Sequence, residues 1–316
     1  MILYAGKALA QYGFGRNHPF GPDRFQVFWD AVLAQGLDTR VEIREPVPGT
    51  RADLLLFHLA EYAERVERLS REGTGMLDPD TPVFEGIYEA ALVVVGTVLA
   101  AVGEIMTGVH RRAFVPIGGL HHARRDSSAG FCVFNDCGIA IDALRARYGV
   151  RRIAYVDIDA HHGDGVFYAF EDDPDLAIAD IHENGRYLYP GSGDIEETGR
   201  GDAVGTKLNI PLPPGSGDAL FFKVWPTVER FIEASDPDFI ILQCGADSLA
   251  GDPITHLALS SSAHFHAAKT LCQLAERKCA GRILALGGGG YNRENLAAAW
   301  TSVVRAMVET IPADRR

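Results

Sequence analysis

Residues 152–165 read RIAYVDIDAHHGDG, a short apolar run followed by a dense group of titratable side chains. Because side chains alternate faces along a strand, Asp157, Asp159 and His161 would project to the same side if the extended conformation persists. Two carboxylates and an imidazole crowded together are unfavourable unless a cation sits between them. The stretch therefore predicts a buried strand that ends in a cation-binding loop, and the alternative is an acidic, glycine-rich turn.

Strand-like and helical patterns alternate along the rest of the chain. The short apolar stretches that read as strands are 1–5, 39–44, 113–117, 153–158, 176–181, 208–212, 239–244 and 283–286. The longer stretches that read as helices are 23–35, 52–70, 85–107, 135–148, 218–234, 260–277 and 294–310. The segments 71–82 and 182–205 read as loops.

Strands that alternate with helices predict an α/β fold with a mostly parallel central sheet and helices on both faces. We find no linker and no internal repeat, so we expect residues 1–316 to form one domain. In open sheets of this kind, functional groups gather in loops at the carboxyl ends of the strands. The strand ends that carry unusual chemistry are His121-His122, Asp157 to Asp164, Asp247 and Gly287 to Tyr291.

Asp159, His161 and Asp247 make a plausible three-ligand metal site. Zinc accepts nitrogen and oxygen ligands, and a catalytic zinc site leaves one position open for water or substrate. A metal in such a site activates water or polarises a carbonyl group. The same donors would also accept Fe²⁺ or Co²⁺. Taken alone, Asp247 could instead be a helix cap.

His121 and His122 stand next to each other in a predicted loop. A histidine pair beside a metal supplies a base for water and an acid for a leaving amine. Asp157 and Asp164 are carboxylates that could fix the tautomer of each imidazole. Tyr291, which follows four glycines, could donate its hydroxyl to a developing oxyanion. The simpler alternatives are two ordinary loop histidines and a tyrosine that only packs.

Composition restricts the class of protein. The chain has 316 residues, of which 47% are apolar and 23% charged, and its net charge is −12. Such an acidic chain disfavours nucleic acid as a direct partner. No uncharged apolar run reaches the roughly 18 residues that suggest a membrane span. Because the N-terminus also lacks a signal-peptide pattern, we expect a cytoplasmic protein with no membrane partner.

Five motifs follow one another along the chain: GGLHHA (118–123), GFCVFND (130–136), DIDAHHGDG (157–165), GADSLAGDP (245–253) and GGGGY (287–291). Together they resemble the zinc-dependent histone deacetylase family, and the similarity runs from about Gly13 to Trp300. This family includes bacterial acetoin-utilisation proteins and acetylpolyamine amidohydrolases. The resemblance implies the arginase/deacetylase fold and hydrolysis of an N-acyl amide, typically acetyl-lysine or a similar acylated amine.

The resemblance also implies catalytic roles by motif position. The implied Zn²⁺ ligands are Asp159, His161 and Asp247. His122 would be the general base that then protonates the amine, and Asp164 would hold it. His121, paired with Asp157, would assist electrostatically. Tyr291 would polarise the substrate carbonyl together with zinc.

Three further sites are implied by the resemblance. The channel for the acylated side chain would be lined by Gly130, Phe131, Tyr189 and Ile254, and Tyr189 replaces a more usual phenylalanine. A structural K⁺ beneath the zinc would involve Asp157, Asp159, His161, Asp180 and Ile181. Asp180 stands where family members usually have serine. Arg24 matches an arginine beside an inner acetate pocket.

Two departures from the family bear on the substrate. The loop before Asp80 is short and lacks an obvious match to the acidic residue that grips a peptide backbone in eukaryotic deacetylases. Ile254 stands where polyamine-specific relatives can carry an acidic gatekeeper. The apolar residue argues against polyamines, and the short loop argues against tight peptide binding. We expect an acyl-lysine or a related acylated amine as substrate, with an acetylpolyamine or another small amide as the alternative.

Two more distant alternatives remain open. A binuclear ureohydrolase of the arginase type needs bridging carboxylates, and only Asp252 is available beyond Asp247. A non-catalytic module would hold zinc and recognise an acyl amine without hydrolysing it, although His121, His122 and Tyr291 are all present. The motifs imply no particular oligomeric state.

Overall fold

A parallel sheet of eight strands runs through the part of the chain that the structure, a computed structural model, describes: residues 1–15 and 18–312. In chain order the strands are β1 (Ile2–Tyr4), β2 (Glu42–Arg44), β3 (Met76–Asp78), β4 (Thr81–Pro82), β5 (Arg112–Val115), β6 (Ile153–Asp157), β7 (Leu176–Glu183), β8 (Lys207–Leu212), β9 (Phe239–Gln243) and β10 (Ile283–Leu286). β3 and β4 form a separate antiparallel hairpin, and the sheet has the order β2-β1-β5-β10-β9-β6-β7-β8. The predicted α/β fold with a mostly parallel sheet is confirmed.

The helices of the described residues cover this sheet. In chain order they are α1 (Arg24–Ala34), α2 (Arg51–Leu54), α3 (Ala60–Glu72), α4 (Ile87–Thr107), α5 (Asp136–Tyr148), α6 (Asp164–Ala169), α7 (Asp218–Ala234), α8 (Ser261–Lys278) and α9 (Arg293–Glu309). One group packs in the order α1-α9-α8-α7, and in another α4 contacts α2, α3 and α5. Every residue of β6, β7 and β9 is buried, as expected when helices cover both faces of a parallel sheet.

The register of the central strands places their carboxyl ends side by side. Leu286 of β10 pairs with Val115 of β5 on one side and with Gln243 of β9 on the other. Gln243 also pairs with Asp157 of β6, and Asp157 pairs with Asp180 of β7. The loops that follow β5, β10, β9 and β6 therefore leave the sheet at the same edge.

The helix α4 is long and apolar enough to cross a membrane by length and composition alone, and its mean hydropathy is 2.0 over the most apolar window. More than half of that window is nevertheless buried inside the molecule. Gly96 lets the chain at Gly49 come close, because a Cβ atom on Gly96 would collide with the backbone of Val47 and Gly49. These contacts are typical of a core helix.

The predicted helix 52–70 is wrong as one element, because the chain breaks it into α2 and α3. The break turns His58 into the interior, where its Nε2 accepts a hydrogen bond from the Asn135 backbone N–H at 2.9 Å. Most helical stability in proteins comes from tertiary packing rather than from intrinsic propensity. Burial of this imidazole therefore overrides the helical pattern of the surrounding residues.

The segments expected to be loops contain more regular structure than predicted. The stretch 71–82 contains the β3–β4 hairpin, and β7 continues to Glu183. The six-residue helix α6 begins at Asp164, inside the motif at 157–165. A helix this short has too few turns to show a hydrophobic period in the sequence.

Candidate active site

The loops after β6 and β9 bring the three predicted metal ligands together. Asp159, His161 and Asp247 are buried, and each offers a ligand atom within 4.8 Å of the others. Asp159 and His161 directly follow β6, and Asp247 lies in a short 3₁₀ helix after β9. The strand register therefore explains how residues 86 or more positions apart in the chain reach one place.

Both oxygens of the Asp159 carboxylate accept hydrogen bonds. Its Oδ2 accepts hydrogen bonds from the Gln243 side-chain amide at 2.9 Å and from the Gly289 N–H at 3.0 Å. Its Oδ1 accepts the backbone N–H of His161 at 3.0 Å and also lies 3.0 Å from Nδ1 of the same residue. The backbone and Gln243 thus leave Oδ1 turned towards the imidazole.

The carboxylate of Asp247 has one bonded and one unbonded oxygen. Its Oδ1 accepts a hydrogen bond from the Ala160 N–H at 2.9 Å. Its Oδ2 is buried without a hydrogen-bond partner among the described residues and lies 3.3 Å from Nδ1 of His161. Burial and the nearby Asp159 raise the pKa of Asp247 to about 7. Two oxygens and one nitrogen that face one point, one of them without a partner, are donors that fit Zn²⁺ with an open position.

Glycines allow the neighbouring backbone to approach these carboxylates. A Cβ atom on Gly289 would collide with Oδ2 of Asp247, and one on Gly245 would collide with Oδ2 of Asp159. Both positions therefore have to lack a side chain if the carboxylates are to keep their places. This close approach explains why the glycine run at 287–290 includes position 289.

His121 and His122 face the metal-ligand group as a linked pair. Nδ1 of His121 lies 2.8 Å from Oδ2 of Asp157, and Nδ1 of His122 lies 2.7 Å from Oδ1 of Asp164. The two Nε2 atoms are 3.1 Å apart. Both rings are buried. The structure thus brings together each histidine with the carboxylate that the sequence predicted for it.

The two imidazoles differ in charge. Burial lowers the pKa of each ring, but the Asp157 carboxylate prevails at His121 and raises its pKa to about 10. At His122, burial and the adjacent His121 lower the pKa to about 4, despite the Asp164 carboxylate. His122 is therefore the neutral member of the pair, with Nε2 as the atom that accepts a proton.

The loop that carries the histidines is fixed by side chains that sequence reasoning missed. The Asn135 amide donates to the carbonyl oxygens of His121 at 3.2 Å and Ala123 at 2.8 Å. The buried carboxylate of Asp136 accepts from the N–H groups of Gly119 and Leu120. Asn135 and Asp136 end the motif at 130–136, so two buried polar residues at a helix start were the available signal.

Tyr291 and Arg24 meet at the glycine loop. The Tyr291 N–H donates to Oδ2 of Asp252 at 2.8 Å, and its ring packs edge-on against Phe131 at a centroid distance of 5.8 Å. Arg24 is fully buried and donates to the carbonyl oxygens of Gly290 at 3.0 Å and Gly288 at 2.7 Å. Arg24 thus holds the backbone that positions Tyr291.

A cavity of about 280 Å³ opens above these groups. Its lining includes all four predicted channel residues: Gly130, Phe131, Tyr189 and Ile254. A much smaller recess of about 10 Å³ lies further in and is lined by residues that include His121, His122, Asp159 and Tyr291. The Tyr189 ring stands edge-on to His122 at 5.2 Å. The chemistry-bearing residues therefore lie at the inner end of an aromatic-walled opening.

Asp80 also lines this cavity, which corrects the expectation that its loop offers no acidic residue there. The β3–β4 hairpin places Asp80 at its turn, where Oδ1 of Asp78 accepts the Asp80 N–H at 3.0 Å. Burial and the Asp78 carboxylate raise the pKa of Asp80 to about 6. The residue was missed because 71–82 read as a surface loop rather than as a hairpin folded over the site.

The region of the predicted structural cation contains two buried carboxylates on neighbouring strands, Asp157 and Asp180. Oδ1 of Asp180 lies 2.7 Å from Nδ1 of His182, and Oδ2 accepts the Gly163 N–H at 2.9 Å. Ile181 follows on β7 and pairs with the neighbouring strand β8. The departure from serine at position 180 thus introduces a carboxylate together with an imidazole partner.

His162 lies apart from the metal-ligand group. It is buried, and its Nδ1 lies 2.9 Å from Oγ of Ser192. Its ring packs against Phe167 and His182 at centroid distances of 5.0 and 4.9 Å. These contacts make His162 a packing residue of the loop that carries His161.

Known proteins are similar to this chain in sequence and in fold. A model of the histone deacetylase domain matches residues 18–307. The chain is 37% identical over 290 residues to the acetoin utilization protein AcuC of Bacillus subtilis (strain 168), which covers 89% of this chain and 75% of that protein. It is 33% identical over 318 aligned residues to histone deacetylase 9 of Arabidopsis thaliana, which covers 98% of this chain and 73% of that protein.

The solved structure of the HDA15 HD domain has the same fold, with a TM-score of 0.88 over 97% of this chain and 90% of that chain, at 24% identity. The sheet and the helices around it thus match a fold already seen in a solved structure. Since the family model spans most of the chain and the relatives exceed 30% identity, the chain belongs to the histone deacetylase family of hydrolases.

Proposed function

We propose that this protein is a metal-dependent deacylase that hydrolyses short N-acyl amides, with an acetyl-lysine or a related acylated amine as substrate. The observation that carries the proposal is the placement of the His121–His122 pair beside Asp159, His161 and Asp247 at the inner end of the cavity. The matching histone deacetylase domain and the relative named a histone deacetylase support an acyl-amide substrate.

The metal ligands in this proposal are Asp159, His161 and Asp247, which suit Zn²⁺ and would also accept Fe²⁺ or Co²⁺. When bound, the metal would polarise the acyl carbonyl and lower the pKa of the attacking water. Gln243 and the Gly289 N–H orient Asp159, and the Ala160 N–H orients Asp247. Partners of this kind fix ligand geometry in metal sites.

His122 acts as the general base in the proposed mechanism. Its Nε2 takes a proton from the attacking water, and the same atom then returns a proton to the leaving amine. Asp164 accepts a hydrogen bond from Nδ1–H of His122 at 2.7 Å and keeps that ring in the required tautomer. His121, charged through Asp157, assists electrostatically by stabilising negative charge that develops nearby.

Tyr291 donates a hydrogen bond from its hydroxyl to the developing oxyanion. Its hydroxyl makes no hydrogen bond to the described residues, while its backbone and ring are held by Asp252 and Phe131. A donor that is fixed before reaction stabilises the transition state without the cost of reorganisation. Arg24 contributes by holding the glycine loop at Gly288 and Gly290.

The size of the inner recess supports a short acyl group. Its volume is about 10 Å³, which leaves room for about one water molecule. An acetyl group is thus favoured over long acyl chains as the part of the substrate that reaches the metal ligands. The wider outer cavity, lined by Phe131 and Tyr189, suits the aliphatic stem of an acylated amine.

A second candidate is an acetylated polyamine or another small cationic amide. The observation that favours it is the Asp80 carboxylate on the cavity wall, which could pair with a protonated amine or with backbone N–H groups of a peptide. Ile254, on the same wall, supplies no charge. The two substrate classes share the catalytic residues and differ in what binds at the mouth of the cavity.

The more distant alternatives have less support. Asp252 accepts hydrogen bonds from the N–H groups of Ile254, Tyr291 and Asn292, so its oxygens are engaged in holding loops. A second metal of the arginase type would need that carboxylate. A binding module without catalysis would not require His122 to be neutral and anchored by Asp164.

The proposal also includes a structural K⁺ near Asp157 and Asp180. Burial, together with Asp180, raises the pKa of Asp157 to about 6, so a cation in this region would offset two crowded carboxylates. Both oxygens of Asp180 and both oxygens of Asp157 already have hydrogen-bond partners, so backbone carbonyls would supply much of the coordination of this cation, with Asp157 as the carboxylate ligand that the resemblance implies.

We further propose one domain over residues 1–316, a cytoplasmic location and no direct nucleic-acid partner.

A hydrolysis screen tests the proposed function. The panel contains acetyl-lysine peptides, acetylated polyamines, longer acyl-lysines and small amides, each with and without a metal chelator. We expect hydrolysis of short-chain acyl amides that the chelator abolishes and added Zn²⁺ restores. Tight binding without hydrolysis across the whole panel would contradict the proposal and favour a binding module.

A further inference from the structure

Lys207, at the start of β8, is a buried cation that the proposed mechanism does not use. Its side chain is 2% exposed. Its ammonium donates to the carbonyl oxygens of Asp173 at 2.9 Å and Leu176 at 2.7 Å, and to Oγ1 of Thr206 at 2.8 Å. The three N–H bonds of the ammonium thus each have an oxygen acceptor.

No carboxylate lies within 4.0 Å of this ammonium among residues 1–15 and 18–312. The side chain of Asp173 is bound instead by Arg145, so only its backbone carbonyl faces Lys207. Fully buried lysines are rare unless they are paired with an opposite charge. Burial lowers the pKa of Lys207 to about 8, so the amine still carries its proton at neutral pH. The charge is therefore stabilised by neutral oxygen dipoles.

A group of neutral carbonyl and hydroxyl oxygens around one positive charge is also the environment that proteins offer to monovalent metal ions. Carbonyl oxygens replace the hydration shell of K⁺ in this way. An ammonium group and K⁺ are similar in size and carry the same charge. We propose that Lys207 is a tethered monovalent cation, seated in an oxygen cage that would bind K⁺ or NH₄⁺ if the lysine were absent.

The Lys207 ammonium ties the start of β8 to the segment between two elements that carry site residues. This connection, residues 170–175, joins α6 to β7. α6 begins with Asp164, which holds His122, and β7 carries Asp180, which pairs with Asp157. A covalently attached cation keeps this connection closed at any salt concentration, whereas a free ion would bind and leave with ionic conditions.

Two variants separate a cation site from ordinary packing. Lys207→Ala removes the tether and leaves the oxygen cage empty, while Lys207→Met removes the charge but fills most of the space. The thermal midpoint of unfolding is measured for the metal-loaded full chain with KCl, NH₄Cl or tetramethylammonium chloride at constant ionic strength. The wild-type protein is titrated in parallel, and only the additional response of a variant counts.

We expect Lys207→Ala to be destabilised and its midpoint to rise with the logarithm of K⁺ or NH₄⁺ concentration, as mass action requires for a ligand that binds the folded state. Tetramethylammonium is too large for the cage and should not restore the midpoint, and Lys207→Met should not respond. Equal responses of both variants, or a deficit of Lys207→Ala that no small cation reduces, would overturn the proposal.

A measurement on the wild-type chain covers the case in which Lys207→Ala does not fold. In protein labelled with ¹⁵N-lysine, the Lys207 ammonium should give a signal at neutral pH with slow hydrogen exchange, because all three protons are held by oxygens. The signal is assigned by its loss in Lys207→Met. Absence of any slowly exchanging lysine ammonium would contradict the proposed cage.

Discussion

The Nε2 atoms of His121 and His122 lie 3.1 Å apart, so the charge of one ring acts directly on the other. Each ring is anchored at its other nitrogen by its own carboxylate, Asp157 for His121 and Asp164 for His122. Asp157 raises the pKa of His121 to about 10, while burial and His121 lower that of His122 to about 4, so His121 is the charged ring and His122 the neutral one. The adjacent histidines therefore have different roles.

Replacement of the two histidines should have unequal effects. We expect His122→Ala to lower kcat by at least about a hundredfold, because a positioned general base contributes roughly 10²–10⁴ in rate. His121→Ala should cost less, since it removes electrostatic assistance but leaves the base. Both are measured on a fluorogenic acetyl-lysine substrate at matched metal content. A larger loss in His121→Ala than in His122→Ala would contradict the assignment of His122 as the base.

The Tyr291 hydroxyl should matter for kcat and not for substrate binding. Tyr291→Phe removes one oxyanion donor and is expected to lower kcat by at least about a hundredfold, or about 2.7 kcal/mol, with KM little changed. Tyr189→Phe is the matched control, because it removes a hydroxyl from the same cavity wall. Comparable losses in both variants would indicate that either change merely disturbs the wall.

The candidate site was largely predictable from the sequence because strand ends at one edge of a sheet bring distant residues together. Asp159, His161 and Asp247 could be grouped before their positions were known, and the family resemblance matched each histidine to its carboxylate. Gln243 was missed, although a glutamine inside the apolar run FIILQC is unusual. It donates to Asp159 at 2.9 Å, a contact from the end of β9 to the loop after β6 that a local pattern does not encode.

The rest could not be predicted because it depends on how separate segments fold over one another. The hairpin at 76–82 is too short to show strand alternation, so Asp80 could not be placed at the cavity. Likewise, His58 interrupts a helical pattern only because its ring accepts a backbone hydrogen bond from Asn135. Both are tertiary effects that override local propensity.

Metal binding should require Asp247 and not Asp252. We expect Asp247→Ala to lose bound zinc and to lower the rate at least about a hundredfold, because Oδ2 of Asp247 is the ligand atom without another partner. Asp252→Asn should keep one zinc per chain, since Asp252 holds the loop at Tyr291. Elemental analysis of purified protein measures both. Two metals per wild-type chain, with one lost in Asp252→Asn, would favour the arginase-type alternative.

The Asp80 carboxylate should discriminate between substrates. Asp80→Asn is expected to lower kcat/KM about tenfold or more for substrates that bring a cation or peptide N–H groups to the cavity mouth, since hydrogen bonds to charged groups are worth about 1.5–3 kcal/mol. A small neutral acyl amide should be unaffected and serves as the control. The ratio between acetyl-lysine peptides and acetylated polyamines then shows which class Asp80 recognises. An equal loss for all substrates would point to a structural role of the hairpin.

The hydrogen bonds of His58 require a neutral ring. Its Nε2 accepts from the Asn135 N–H, and its Nδ1 lies 3.3 Å from the Arg125 carbonyl oxygen, to which it donates. Burial lowers the pKa of His58 to about 4, whereas the unfolded chain has the ordinary value of 6.5. Between these values the unfolded chain binds a proton that the folded chain does not. Stability contributed by His58 is therefore complete above pH 6.5 and decreases as the pH falls towards 4.

We expect His58→Gln to reduce this acid sensitivity. A neutral glutamine cannot take up the proton, so the difference in free energy of unfolding between wild type and variant should shrink by about 1.4 kcal/mol for each pH unit below 6.5, up to about 3 kcal/mol. Urea unfolding at pH 7.5, 6.5, 5.5 and 4.5 measures it, and the value at pH 7.5 removes the packing cost of the substitution. A difference that stays constant with pH would mean that the folded protein takes up the proton on His58 as readily as the unfolded chain does, against the hydrogen bond from Asn135.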